Sequence, residues 1–347
     1  FFPAATAKGY ELPIIQEIWD VLRAFASFGF CKAHAAAFAL PTYQSAWLKT
    51  HYPAAFLAGV LTHDPGMYPK RLIVDEARQM GITIAPIDVN ASDAVYRVED
   101  HGNAIRIALS TVSGISDGEV QSIIAGRPYI DLNDFVRRSG CSTPVTESLI
   151  LTGGFDSLHS DVNRRDLLLH FSDLQKSPSA AVSGAQMNLG FEPPALISSG
   201  LPAMTASESV KHEIDRLGID MSRHMIEFYG EFLNAIGAVR SSDLLKQRSQ
   251  SSVLVAGIKV AMQTPPVRSG KRVIFLTLDD GYGCSDSTFF TDVQSEYANV
   301  LYSTSLLLVR GVTRRTGARG ISIRATGAWD LRAAYESWSA KQSTLAI

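Results

Sequence analysis

The densest run of one chemistry in this sequence is cationic: Arg310, Arg314, Arg315, Arg319 and Arg324 fall between Tyr297 and Trp329 with no acidic residue among them. Guanidiniums so placed repel one another unless an anion offsets them, and a flexible phosphate backbone is such an anion. Lys259, Arg268, Lys271 and Arg272 lie upstream and extend a candidate groove for single-stranded nucleic acid. Phe275, Phe289 and Phe290 can stack bases where exposed, although their positions equally suit the core of a β-barrel. The competing assignment for the arginines is a solvated face, because charge on hairpin tips is a common solubility device.

Two other patterns can hold phosphate through the backbone. Val112-Ser113-Gly114-Ile115-Ser116 and Gly153-Gly154-Phe155-Asp156 are tight glycine-containing turns between apolar helical segments. Such turns grip a DNA backbone with N–H groups, whatever the bases. Taken singly, each also reads as an ordinary helical turn. Lys32 and His34 stand beside Gly29, just before an expected helix, where cationic and N–H donors near a helix N-terminus can hold phosphate oxygens. Solvated loop residues are the alternative there.

Equally informative is what is missing. No Asp-x-Asp pair occurs, and the nearest approach, Asp279-Asp280, sits at a strand-to-turn junction, so the carboxylate set for two-metal phosphoryl transfer is absent. No catalytic residue is assigned. Cys31, Cys141 and Cys284 are far apart, with no Cys-x-x-Cys and no histidine at zinc-ligand spacing, which predicts no metal or other cofactor and suits a reducing cytosol.

The elements that must position these residues follow from apolar periodicity. Ile14, Ile15, Ile18, Val21, Leu22 and Phe25 recur at helical spacing, and a second run covers 33–61, with Pro41 and Pro53 expected to start or interrupt helices. Residues 69–80 read as a further helix and 82–90 as extended. Residues 175–207 are rich in Ser, Ala, Gly and Pro, a linker composition. Ile214, Leu217, Met221, Met225, Phe228, Phe232 and Ile236 return to helical spacing, interrupted near Gly218. From 253 to 328 the period changes to β-type: three runs, a short helix at about 292–300, then two runs. That is the order of an OB-fold, a five-stranded barrel used mostly for single-stranded nucleic acid.

At 347 residues the chain exceeds one ordinary domain, and its 46% hydrophobic and 19% charged content is that of folded globular protein. A net charge of −2 gives no global pull on nucleic acid, so any contact must come from local patches. No apolar run is long enough to cross a bilayer, and the N-terminal stretch has neither an initiator Met nor a signal-peptide pattern. The expectation is a cytoplasmic fragment of something longer.

Residues Phe25 to Leu61, FASFGFCKAHAAAFALPTYQSAWLKTHYPAAFLAGVL, resemble the fingers signature of bacterial DNA polymerase III alpha-type (C-family) enzymes. IDVNASD, LSTVSGIS and LILTGGFDSL are similar to that family's tandem helix-hairpin-helix domain, LGIDMSRHMIEFY to its linker helix, and VAGIKVAMQTPPVRSGKRVIFLTLDDG to its OB opening. The wording of the first string and the TPPVRSG loop look closest to the error-prone branch. The resemblance implies an α+β multi-domain fold: the C-terminal part of the fingers (1–68), a tandem helix-hairpin-helix domain (69–174), a flexible linker (175–207), connector helices (208–250), an OB-fold (251–331) and a tail (332–347). It implies that Lys32 and His34 face nucleotide and primer terminus, and that Gly114, Ile115, Ser116, Gly153 and Gly154 serve duplex binding. Ser116 departs from the pattern, replacing a second glycine. Gln186, Leu189 and Phe191 resemble the peptide that docks polymerases onto the sliding clamp. The parent would be a DNA-directed DNA polymerase of repair and translesion synthesis, with magnesium in an upstream palm. Its partners would be primer-template, single-stranded template, the clamp and translesion accessory proteins, and no membrane. A protein-interaction scaffold for a translesion assembly is the rival.

Overall fold

The structure is a computed structural model that describes residues 1–27, 32–66, 68–176, 195–265, 272–315, 317–318 and 320–345. The chain divides into two compact units, Phe1–Phe56 and Leu57–Ile347. The first contains α1 (Phe2–Ala7), α2 (Leu12–Ser27), α3 (Lys32–His51) and the start of α4 (Pro53–His63). Pro53 opens α4 as expected, because a helix start needs no N–H there. Pro41 departs from expectation: α3 runs through it, and Thr42 Oγ1 donates to Phe38 O at 2.7 Å in the neighbouring turn. On α2 Ile15 is buried, whereas Ile14, Ile18, Val21 and Leu22 are exposed.

After the rest of α4, the second unit continues with α5 (Lys70–Gln79), then β1 (Thr83–Ala85), β2 (Arg97–Glu99) and β3 (Ala104–Arg106) in a small sheet of order β1-β3-β2. The helices α6 (Asp117–Ala125), α7 (Leu132–Ser139), α8 (Thr143–Thr152), α9 (Arg164–Lys176) and α10 (Ala206–Leu217) follow. Tyr129, Phe135 and Phe155 pack edge to face at 4.9 Å in their core. Thr205 and Glu208 form a capping box that starts α10, and left-handed Gly218 ends it. A 3-10 turn at Met225–Tyr229 and α11 (Gly230–Ala235) carry the chain into the barrel.

The barrel comprises β4 (Ser252–Gln263), β5 (Ile274–Asp279), β6 (Cys284–Phe289), α12 (Thr291–Ser303), β7 (Leu306–Arg315) and β8 (Ile321–Asp330), closed in the order β4-β5-β6-β8-β7. Its interior holds Val253, Val255, Leu276, Leu278, Phe289, Leu307, Val309 and Ile323. The alternate residues Ala256, Ile258, Leu306 and Leu308 are covered from outside by Ile226, Phe232, Leu233 and Leu331. Burial on both faces is why those strands read as unbroken apolar runs. The expected C-terminal tail is a helix, α13 (Leu331–Leu345), whose Tyr335 and Trp338 rings lie 5.9 and 5.5 Å from Phe232. The whole is α+β, helices followed by a five-stranded closed barrel.

Candidate nucleic-acid interface

Strand register builds the barrel's outward row one residue at a time. Phe275 on β5 pairs with Thr288 on β6, Thr288 with Arg324 on β8, and Arg324 with Val312 on β7. Along β5 burial alternates, so Ile274 and Leu276 point inward while Phe275 is 46% exposed. Phe290 follows β6 and is 38% exposed, whereas Phe289 is fully buried. Two of the three candidate stacking aromatics are therefore on the surface and one is core. Two concavities of about 590 Å³ each adjoin here, and both are lined by Phe290 and Arg314. Arg324 completes one of them, its guanidinium 5.5 Å from the Phe290 ring centroid. This is the face of the second and third strands on which OB-folds carry oligonucleotides.

The cationic groove expected from sequence is thinned by packing. Arg324 Nη2 lies 3.5 Å from Asp292 Oδ2, a carboxylate outside the acid-free stretch in sequence but beside it in space. Lys259 Nζ donates to Leu301 O at 2.8 Å, a carbonyl in the last turn of α12, so this lysine closes a helix end instead of lining a groove. Arg315 donates to Leu245 O, tying β7 to the segment before the barrel. Arg310 lies over Trp329 at 5.4 Å. Arg272 is exposed, and its carbonyl accepts from Gln294. Arg268, Lys271 and Arg319 lie outside the described residues, as do Gln186, Leu189 and Phe191.

In the first hairpin Gly114 has φ +80, a backbone shape that glycine takes freely. Ser116 has φ −93 and needs no glycine; it is the N-cap of α6, its Oγ accepting from Glu119 N. The loop is held by Ser113 N–H donating to Arg216 O at 2.8 Å and Ile115 N–H to Val112 O at 3.2 Å. The N–H groups of Gly114, Asp117 and Gly118 have no acceptor among the described residues, and all three residues are exposed. Glu119 bridges two helix starts: Oε2 accepts from Ser116 N and Oγ, and Oε1 from Ser142 N and Oγ. Those bonds, the Ser142 hydroxyl's first, hold its pKa down to about 2.

The second hairpin is different. Gly153 N–H donates to Ile150 O and Gly154 N–H to Leu149 O at 2.7 Å, while Gly154 O accepts from Val89 N. Both glycines are buried, and Arg164, paired with Asp156 at 2.6 Å, covers Gly153. This turn ends α8 with the N–H groups of Gly153 and Gly154 both bonded inside the fold, so these two glycines offer no donor to a phosphate, against the expectation at Gly153 and Gly154. In the first unit Lys32 and His34 occupy the exposed first turn of α3, and His34 packs on Phe38 at 4.6 Å.

Residues 81–167 match the family described as "Helix-hairpin-helix motif". The chain is 31% identical over 93% of its length to an error-prone DNA polymerase from Symbiobacterium thermophilum, covering 34% of that protein. It is 30% identical over 89% to an error-prone DNA polymerase from Bdellovibrio bacteriovorus, covering 30% of it. Against the DNA polymerase III subunit alpha of Escherichia coli strain K12 it is 30% identical over 98% of the chain and covers 31% of the relative. The chain thus spans about a third of the length of the curated relatives it matches.

Proposed function

We propose that this chain is the DNA-holding part of an enzyme like the bacterial error-prone DNA polymerases and DNA polymerase III alpha subunits it resembles, leaving bond formation to carboxylates elsewhere in the parent. The carrying observation is the outward row Phe275, Thr288 and Arg324 with Phe290 and Arg314 beside it, which offers two π-faces and two guanidiniums to a single strand. The open N–H groups of Gly114, Asp117 and Gly118 support a backbone grip on duplex at one hairpin, not two.

In this reading the parent is a DNA-directed DNA polymerase of damage-tolerant synthesis in the cytoplasm, with magnesium in its palm. Lys32 and His34 face the nucleotide side, Gln186, Leu189 and Phe191 reach for the sliding clamp, and accessory proteins of translesion synthesis dock elsewhere. The isolated chain extends no primer.

The test is a salt titration of binding to a single-stranded oligothymidylate. Each phosphate contact contributes roughly 0.7 to the slope of log affinity against log salt, so Arg314→Ala with Arg324→Ala should flatten it by about 0.7–1.4, the smaller figure where Asp292 already holds Arg324. An unchanged slope in a folded double variant refutes the groove. Absence of DNA binding by the parent chain, with accessory proteins still captured, favours the scaffold.

A further inference from the structure

Within the second unit, three arginines of the last two strands stand on consecutive outward rungs of one ladder. On β7 Val309 belongs to the interior core and Thr313 is buried, so Arg310, Val312 and Arg314 turn outward; their partners on β8 are Gly327, Arg324 and Ser322. Each outward rung therefore carries one guanidinium, from Arg314, Arg324 and Arg310 in turn. Leu308, the next outward residue of β7, is already covered by the helices outside the barrel. We infer that a single strand held at Phe290 and Arg324 runs on along this ladder to a further nucleotide subsite, in which Arg310 takes a phosphate and Trp329 stacks the attached base. The subsite rests on the DNA-holding role proposed above and extends it, because it leads the strand off the face of the second and third strands that OB-folds ordinarily use.

A break in strand register makes room for it. Gly311 pairs with Ala325 but Arg310 pairs with Gly327, so Thr326 is an extra residue bulged out of β8. In unbroken register Thr326 would stand opposite Arg310 and its side chain would fill the place; the bulge sets a glycine there instead. The Trp329 ring uses that space, since a Cβ on Gly327 would come within 2.7 Å of Trp329 Cη2. Tyr297 of α12 meets the indole edge to face with ring centroids 6.0 Å apart, which holds it from the other side of the strand. The Arg310 guanidinium lies 5.4 Å from the indole centroid, and Trp329 remains 37% exposed. A cation for phosphate and a π-face for a base thus stand side by side, which is what a nucleotide needs from a sequence-tolerant site.

Spacing and charge both suit a strand running this way. Rungs two residues apart advance about 6.8 Å along an antiparallel strand, close to the reach of one sugar-phosphate unit, so each guanidinium can meet one phosphate in turn. The concavity lined by Phe290, Arg314 and Arg324 already extends to Thr326, the residue next to Gly327, so the path from the first subsite to the second is open. Arg324 is paired with Asp292, whereas Arg310 and Arg314 have no carboxylate partner among the described residues. Duplex keeps its bases stacked inside and has none to lend to Phe290 or Trp329, so the ladder selects single strand over duplex.

The experiment measures binding of the full chain to oligothymidylates of about 4 to 16 nucleotides, the range of OB-fold sites, across a salt series. For the longest oligonucleotides Arg310→Ala should flatten the slope of log affinity against log salt by about 0.7, and Arg310→Lys, which keeps the charge, should restore it. Trp329→Leu should weaken the same oligonucleotides by about fivefold to a hundredfold, and both losses should shrink as the strand becomes too short to reach the subsite. Arg310 is exposed, so its variants keep the inference falsifiable should Trp329→Leu not fold. A slope in Arg310→Ala equal to the parent's at every length, with Arg314→Ala and Arg324→Ala together still flattening it, overturns the subsite and leaves the DNA-holding role standing. Absence of single-strand binding by the parent at every length overturns both.

Discussion

Asp292→Asn should make the chain bind single-stranded DNA more tightly. Asp292 Oδ2 lies 3.5 Å from Arg324 Nη2, and both side chains are about 60% exposed, at the rim of the concavity that Phe290 and Arg314 also line. The carboxylate acts twice against a phosphate there, neutralising the guanidinium and repelling the anion. Two unit charges about 4 Å apart in water interact by about 1 kcal/mol, roughly a fivefold change in affinity at low salt, shrinking as salt screens it. The salt slope should steepen by up to about 0.7 as Arg324 becomes free to pair with phosphate. Stability should fall only slightly, since an exposed pair contributes about 0–1 kcal/mol and an acid in the first turn of α12 about 0.3–1 kcal/mol through the helix dipole. Fluorescence anisotropy with a labelled oligothymidylate over a salt series measures this. Repeating it in an Arg324→Ala background separates the two effects, because only the gain that works through the arginine disappears. Equal or weaker binding by a folded Asp292→Asn chain at low salt would mean that the strand does not pass Arg324.

Phe275→Ala removes one stacking platform that is not part of the core, so single-strand affinity should fall by about 1–3 kcal/mol with the unfolding midpoint unchanged; a lost midpoint with intact affinity refutes the assignment. Gly311→Ala should destabilise the barrel by about 1–3 kcal/mol, visible in denaturant, because the added Cβ would meet Arg324 O and Ile323 Cγ2 at 2.4 Å, where β8 backbone cannot yield. Acid should loosen the helical region in a defined window. Arg138 beside Asp134, and the Ser142 bonds on Glu119, hold both carboxyls near about 2, below their unfolded values. Their stabilisation is therefore complete above about pH 5 and lost as pH falls through about 2, and Asp134→Asn should blunt the loss seen by circular dichroism; an identical acid transition in that variant counts against the pairing.

Much of the barrel was legible because its strands alternate or run apolar over short lengths bounded by Gly and Pro, and the helix between the third and fourth strands stands out from them. The linker helix interrupted at Gly218 was legible for the same local reason. What failed was whatever depends on a partner distant in sequence. Lys259 looked like a groove cation because nothing local says that a helix will end its last turn against it. Gly153-Gly154 looked like an open turn because Val89 and Arg164, which close it, lie far away in the chain. Asp292 escaped an argument framed as a run without acids, although β8 brings Arg324 to it. Asp75, His224 and Asp279 gather in one buried group that no chain interval announces, since the fold brings them together. The helix α13 was read as a tail because its Ser, Lys and Gln hide a sparse apolar set at Leu331, Tyr335 and Trp338.

Closure of the barrel limits how other proteins can read it. With β4 paired to both β5 and β7, and β6 to β8, no strand among the described residues of the barrel offers a free row of N–H and C=O groups over its full length for an extended peptide to extend the sheet. β6 and β8 meet at only two register positions, Ser287 with Ile323 and Thr288 with Arg324, so the seam is short and falls at the row that carries Arg324. A partner on the paired stretches of the described strands is then recognised by side chains or loops and not by strand addition. Any ligand that pries the seam apart would at the same time disturb the surface proposed for DNA, making the two kinds of recognition mutually exclusive at that point.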